Sequence, residues 1–217
     1  MRGRKWFSRQ GVLVLNRTRT AQPEKTVVIL GSAHGGAAMV GRVLMALGVH
    51  IDRRPESAHA DAKLNRALGL GDFERVREIV AARDAAHRLW GWRYFSAVEY
   101  AGSGCPGVWT KHLRNPHVVA IFADPFVTAS RQNVAMPSDI FPAMEDVVHH
   151  LHTQLTYLGR HNGPLLMCSH EKAKAAPESF VRALDAFLGL DAAASWPAAV
   201  SQIDRSTAGT PAESSSA

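Results

Sequence analysis

Short continuous apolar runs alternate with stretches of helical spacing along most of the chain. Thr26-Val27-Val28-Ile29-Leu30 is β-branched or apolar throughout and is closed by Gly31, the pattern of a strand buried on both faces. After Gly31-Ser32-Ala33-His34-Gly35-Gly36 comes a segment from Ala37 to Leu47 with Met39, Val43, Leu44 and Leu47 at helical spacing, and Gly48 closes it as a glycine just past a helix does. Residues 59–89 carry helical periodicity in two pieces broken at Gly69-Leu70-Gly71, and Asp72 is placed to cap the second. These pieces read as cap helices over a sheet edge. His117 to Phe122 predicts a second strand, and Asp124-Pro125 opens a helix because proline suits a first turn. Asp139 to Leu158 reads as a long helix, Leu165 to Cys168 as a third strand, and Pro177 to Gly189 as a last helix.

Buried strands joined by helices predict an α/β fold with a mostly parallel sheet covered on both faces. Ligands in such sheets bind beyond the carboxyl ends of the strands. The loops after Leu30, Phe122 and Cys168 should therefore converge. From Ser206 onward Ser, Ala, Thr, Gly and Pro dominate, the composition of a disordered tail. The expected organisation is a flexible basic arm over 1–25, one domain over 26–205 and a tail over 206–217.

Charge and cysteine content narrow the function classes. The chain has 217 residues and a formal charge of +6. Arg2, Arg4, Lys5, Arg9, Arg17, Arg19 and Lys25 fall in the arm beside Glu24 alone, so the rest is balanced. A neutral body argues against a nucleic-acid groove, which needs cations gathered on a folded face. The arm itself could touch an anionic membrane surface weakly. Cys105 and Cys168 are too few and too far apart for a disulfide framework or zinc knuckle, which points to a reduced, cytoplasmic setting. Oligomeric state leaves no mark in the sequence.

Gly31 to Gly36 fits the G-x-x-x-x-G frame in which backbone N–H groups and a following helix N-terminus hold phosphate oxygens. The Lys and Ser/Thr that should follow are Ala37 and Ala38. An ordinary nucleotide kinase or triphosphatase is disfavoured without them, although the frame keeps that class in view. His149, His150 and His152 read as a polar helix face rather than a metal site, and Trp90, Trp92 and Trp109 as core filling rather than an adenine stack.

Four segments in order resemble the bacterial sulfotransferase family. Val28 to Leu44 is similar to its first strand and 5′-phosphosulfate loop, Trp90-Gly91-Trp92-Arg93 to its W-G-W-K segment, His117 to Pro125 to its strand ending in R-D-P, and Leu165 to Leu190 to its S-Y-E segment and closing F-L-G-L helix. The resemblance covers about residues 26 to 190. It implies a three-layer sandwich of the P-loop type and sulfuryl transfer from 3′-phosphoadenosine 5′-phosphosulfate to a hydroxyl or amine on a glycan, lipid or small molecule. It requires no metal. By the same resemblance His34 and Arg93 would be catalytic, with Arg93 facing the sulfuryl or the acceptor. Gly31, Gly35, Gly36, Ala37, Ala38, Ser130 and Arg131 would bind the donor, Ser130 and Arg131 at its 3′-phosphate. Glu56, His59 and Glu99 are the candidate bases.

The departures are specific. His34 stands where the family has a loop cation, Gly35 where it has serine, Ala123 where it has the arginine of R-D-P, and His170 where it has the tyrosine before Glu171. Each charged donor to a phosphate is worth ~1.5–3 kcal/mol, so losing two weakens binding roughly a hundredfold to many thousandfold unless another group compensates. Arg131 could restore one contact, since a guanidinium forks onto two oxygens. The alternative to an enzyme is a degenerate member that keeps the fold as a binding or scaffold module.

Overall fold

The computed structural model describes residues 8–9, 11–16, 23–32, 34–52, 62–94, 109–135 and 139–204. Among the described residues seven strands form one sheet: β1 (Ser8–Arg9), β2 (Val12–Leu15), β3 (Lys25–Leu30), β4 (His50–Ile51), β5 (Leu89–Tyr94), β6 (Pro116–Phe122) and β7 (Leu165–Ser169). Their order is β1-β2-β7-β6-β3-β5-β4. The β3, β4, β5, β6 and β7 strands are mutually parallel, whereas β2 pairs antiparallel to β7 and β1 antiparallel to β2. The helices are α1 (Ala37–Ala46), α2 (Ala62–Gly69), α3 (Phe73–Ala86), α4 (Pro125–Ala135), α5 (Ile140–Arg160), α6 (His170–Ala175), α7 (Pro177–Leu188) and α8 (Trp196–Asp204).

β3 is buried along its whole length, as its uninterrupted apolar run requires. Val27 and Ile29 face a core shared with Val40, Val43 and Leu44 of α1, Phe180 and Leu184 of α7, and Ala199 and Ile203 of α8. Val28 and Leu30 face the opposite core, with Leu64 of α2, Val76 and Val80 of α3, and Tyr157 and Leu158 of α5. The architecture is therefore three layers, α/β/α, around a mostly parallel sheet, the expected fold class. Local caps agree with the side-chain chemistry: Asp72 accepts from Arg75 N–H at 2.9 Å and Asp139 from Phe141 N–H at 3.1 Å.

The 1–25 span differs from the flexible arm expected of it. Val12–Leu15 pairs residue for residue with β7, from Val12 opposite Cys168 to Leu15 opposite Leu165. The physical reason is the edge of β7, which would otherwise present unpaired backbone groups; an apolar Val-Leu-Val-Leu run inside the basic segment closes it. Lys25 is itself the buried first residue of β3. Positions 1–7, 10 and 17–22, and the tail 206–217, lie outside the described residues. Among the described residues no helix is long and apolar enough to cross a membrane.

Candidate functional site at the carboxyl edge

Register fixes where the parallel strands end. Leu30 of β3 aligns with Tyr94 of β5 and Ala120 of β6, and Phe122 aligns with Ser169 of β7. The segments that follow, Gly31–Gly36, Ala123-Asp124 and His170-Glu171, thus leave the sheet along one edge.

The glycine loop is shaped by close approaches. A Cβ at Gly31 would lie 2.7 Å from Ile121 Cγ2, so the chain passes too near β6 for any side chain. The Gly35 N–H turns back to Ser32 O at 3.0 Å. His34 is exposed and left-handed, with φ 60°, a conformation histidine enters more readily than β-branched residues do. Gly36 caps α1 at φ 96° with no side-chain cap. A Cβ there would sit 2.6 Å from His170 Cδ2 and 2.9 Å from Ile121 Cδ1. Helical bonding begins with Val40 N–H to Gly36 O at 3.2 Å. The amides of Ala37, Ala38 and Met39 find no acceptor among the described residues, which leaves the positive end of α1 open to an anion.

Arg131 of α4 reaches this loop, its guanidinium donating to His34 O at 3.4 Å. On the β7 side, Glu171 is held at both oxygens, accepting from Asp124 N–H at 2.9 Å and from Ser169 Oγ at 3.1 Å. Burial pushes the Glu171 carboxyl up. The bonds from Asp124, its own N–H and Ser169, with His170 alongside, more than offset this and leave it below the usual carboxylate range. His170 is only 5% exposed, with Nδ1 3.7 Å from Glu171 Oε1. Burial pulls its imidazole below the ordinary range; Glu171 opposes this, while Arg131 and Lys174 add to it.

The candidates from the sequence separate into groups. Gly31, His34, Gly35 and Gly36 lie in the loop, Ala37 and Ala38 open α1, and Arg131 of α4 reaches the loop at His34 O. Ser130 is half-buried on α4. Arg93 is 8% exposed near the end of β5; burial and the neighbouring Arg42 of α1 pull its guanidinium below the usual range. Trp90 and Trp92 are core residues whose Nε1–H groups donate to Asp84 and Asn65. No group of three metal-ligating side chains occurs among the described residues, and His150 Nδ1 instead lies 2.8 Å from Asp146 O. Glu56, His59, Glu99, Cys105, Ala33 and the Trp109 side chain lie outside them. The placement of His170 escaped sequence reasoning: its identity stood out, but nothing in the sequence signals that it is buried against Gly36.

The fold has a counterpart among solved structures. The chain is similar to a sulfotransferase domain from the curacin biosynthetic pathway, with a TM-score of 0.53 and 11% identity over 82% of this chain and 77% of that one. At this identity the likeness defines a sulfotransferase-like α/β fold. No protein-family model matches the chain, and no curated protein matches it in sequence.

Proposed function

We propose that the chain binds 3′-phosphoadenosine 5′-phosphosulfate at the carboxyl edge of the sheet and transfers its sulfuryl group to a hydroxyl or amine acceptor. The observation that carries this reading is the N-terminus of α1, where the amides of Ala37, Ala38 and Met39 find no acceptor among the described residues and the Arg131 guanidinium donates to His34 O in the preceding loop, on a sulfotransferase-like sheet. Oriented amides and a guanidinium complement a polyanion without reorganising.

In transfer the bond from sulfur to the bridging oxygen of the donor breaks as a bond forms from the acceptor heteroatom to sulfur. The acceptor proton passes to a base, and adenosine 3′,5′-bisphosphate leaves with the electron pair. The amides of α1 and Arg131 would stabilise the charge that develops on that leaving group, and His34, exposed in the loop, would add to it when protonated. Positioning the two reactants supplies much of the remaining acceleration.

One observation favours the second reading, a binding module without turnover. Gly35 stands at the family's serine position and its amide is already committed to Ser32 O, which removes two donors from the transferring group. Titration calorimetry with adenosine 3′,5′-bisphosphate tests donor binding; release of the same nucleotide from the donor in the presence of a panel of hydroxyl and amine acceptors tests transfer. Binding with transfer supports the enzyme, binding without it the module. No heat at millimolar nucleotide overturns both.

A further inference from the structure

The long helix α5 shows more apolar surface than its own fold uses. One face is accounted for: Ala143 and Val147 pack with Ala129 of α4, and Tyr157 and Leu158 join the core that Val28 and Leu30 face. Phe141, Val148 and Leu155 stand outside that face, 71%, 53% and 50% exposed. A single exposed apolar residue is ordinary. These three recur at intervals of seven, and half-buried Met144 and Leu151 fall between them. Phe141, Met144, Val148, Leu151 and Leu155 thus follow the a/d spacing with which one helix seats against another. Seven residues fall only about 20° short of two full turns, so the stripe keeps to one side of the helix for roughly 21 Å.

We propose that this stripe is the seam of a dimer in which α5 lies antiparallel against α5 of a second copy of the chain, with the two-fold axis beside Val148. The groups flanking the stripe select that occupant. Glu145 and His152 are both exposed and, seven residues apart, share the flank turned away from α4. Antiparallel helices crossing at Val148 place Phe141 against the second copy's Leu155 and Glu145 beside its His152, and the symmetry repeats each contact. An imidazole N–H donates to a carboxylate whether or not the ring is charged, and a charged ring adds an ion pair. A parallel pair would turn each of these flanks towards the side of the other helix that packs on α4, where neither group meets its complement. An anionic membrane is a poor match, because α5 holds Glu145 and Asp146 and no Lys or Arg before Arg160. One helix pair covers less than the roughly 800 Å² per partner of a standard interface, so the dimer forms reversibly as concentration rises. The inference stands apart from the nucleotide reading.

The test is sedimentation equilibrium of the full chain from about 1 to about 200 μM. The average mass should rise from that of one chain towards twice that value and no further, because a two-fold contact closes on itself. Val148→Glu sets two carboxylates side by side at the axis and should abolish the rise, with thermal unfolding unmoved because the side chain is exposed. Glu145→Lys alone and His152→Glu alone should each weaken association roughly tenfold. The two together restore opposite charges across the seam and should recover it. A chain that stays monomeric at every concentration, as it would if a different protein or a segment of its own covered the stripe, overturns the inference. Association that survives Val148→Glu overturns it as well, and a double substitution that recovers nothing contradicts the antiparallel pairing.

Discussion

The two ends of the same parallel strands carry similar side chains in opposite conditions. At the amino edge a lysine, an arginine and a histidine are closed off by the fold. Lys25 Nζ donates to Leu188 O at the end of α7 at 2.6 Å, Arg114 donates to His87 O at 2.7 Å and pairs with Glu24, and His117 Nδ1 lies 2.9 Å from Asn115 O. At the carboxyl edge Arg131 donates to His34 O and His170 lies against Gly36, at a helix start whose amides of Ala37, Ala38 and Met39 have no acceptor among the described residues. The difference teaches that a polar cluster becomes a candidate site when its hydrogen-bonding capacity is left open, and that burial alone does not make one.

The comparison can be broken from either end. The largest expected effect is that of Gly36→Val. The left-handed backbone and the approach of His170 and Ile121 combine strain with overpacking, for a loss of about 3 kcal/mol in urea denaturation and of anion binding with it. Next is Lys25→Met, which leaves the Leu188 carbonyl without its donor: stability should fall by about 2 kcal/mol, with the bisphosphate affinity per folded molecule unchanged. A change in that affinity would show that the two edges are not independent. Arg131→Ala should do the converse, weakening bisphosphate binding roughly tenfold to a hundredfold while moving stability by less than about 0.5 kcal/mol.

The smallest effect is that of pH. Burial, with Lys25 adding to it and the Asn115 contact opposing it, holds His117 below the ordinary histidine range. The unfolded chain therefore binds the proton more tightly than the folded one, and stability is complete above the unfolded value. It is lost progressively as pH falls below that value towards the lower folded one. His50, His161 and His170 are shifted the same way, so the curve for His117→Gln subtracted from that of the unsubstituted chain isolates this contribution. An identical curve would contradict it.

How much of this was legible in the sequence follows from how each signal arises. β3, β6 and β7 announce themselves because strands buried on both faces need unbroken apolar runs. α3 and α7 do so through Asp72 and through Pro177 with Gly189. β5 hides because Gly91 and Arg93 interrupt Leu-Trp-Gly-Trp-Arg-Tyr; Gly91 is small where the chain passes Val49 and Ile51. β2 hides inside a basic segment whose charges draw attention from four apolar residues. α8 hides because Pro197 and a run of alanines blur its period. The glycine loop was readable as a motif. The burial of Arg93 beside Arg42 and the approach of His170 to Gly36 are long-range facts, set by which strands the topology brings side by side.

The central claim is that an anion sits on the open N-terminus of α1, and a backbone amide NMR titration with adenosine 3′,5′-bisphosphate tests it most directly. Saturable shifts concentrated at Ala37, Ala38 and Met39, with Thr26 and His117 at the opposite edge unmoved, are the predicted result. Shifts that bypass those three amides, or that follow only the basic residues of the first 25 positions, would contradict it.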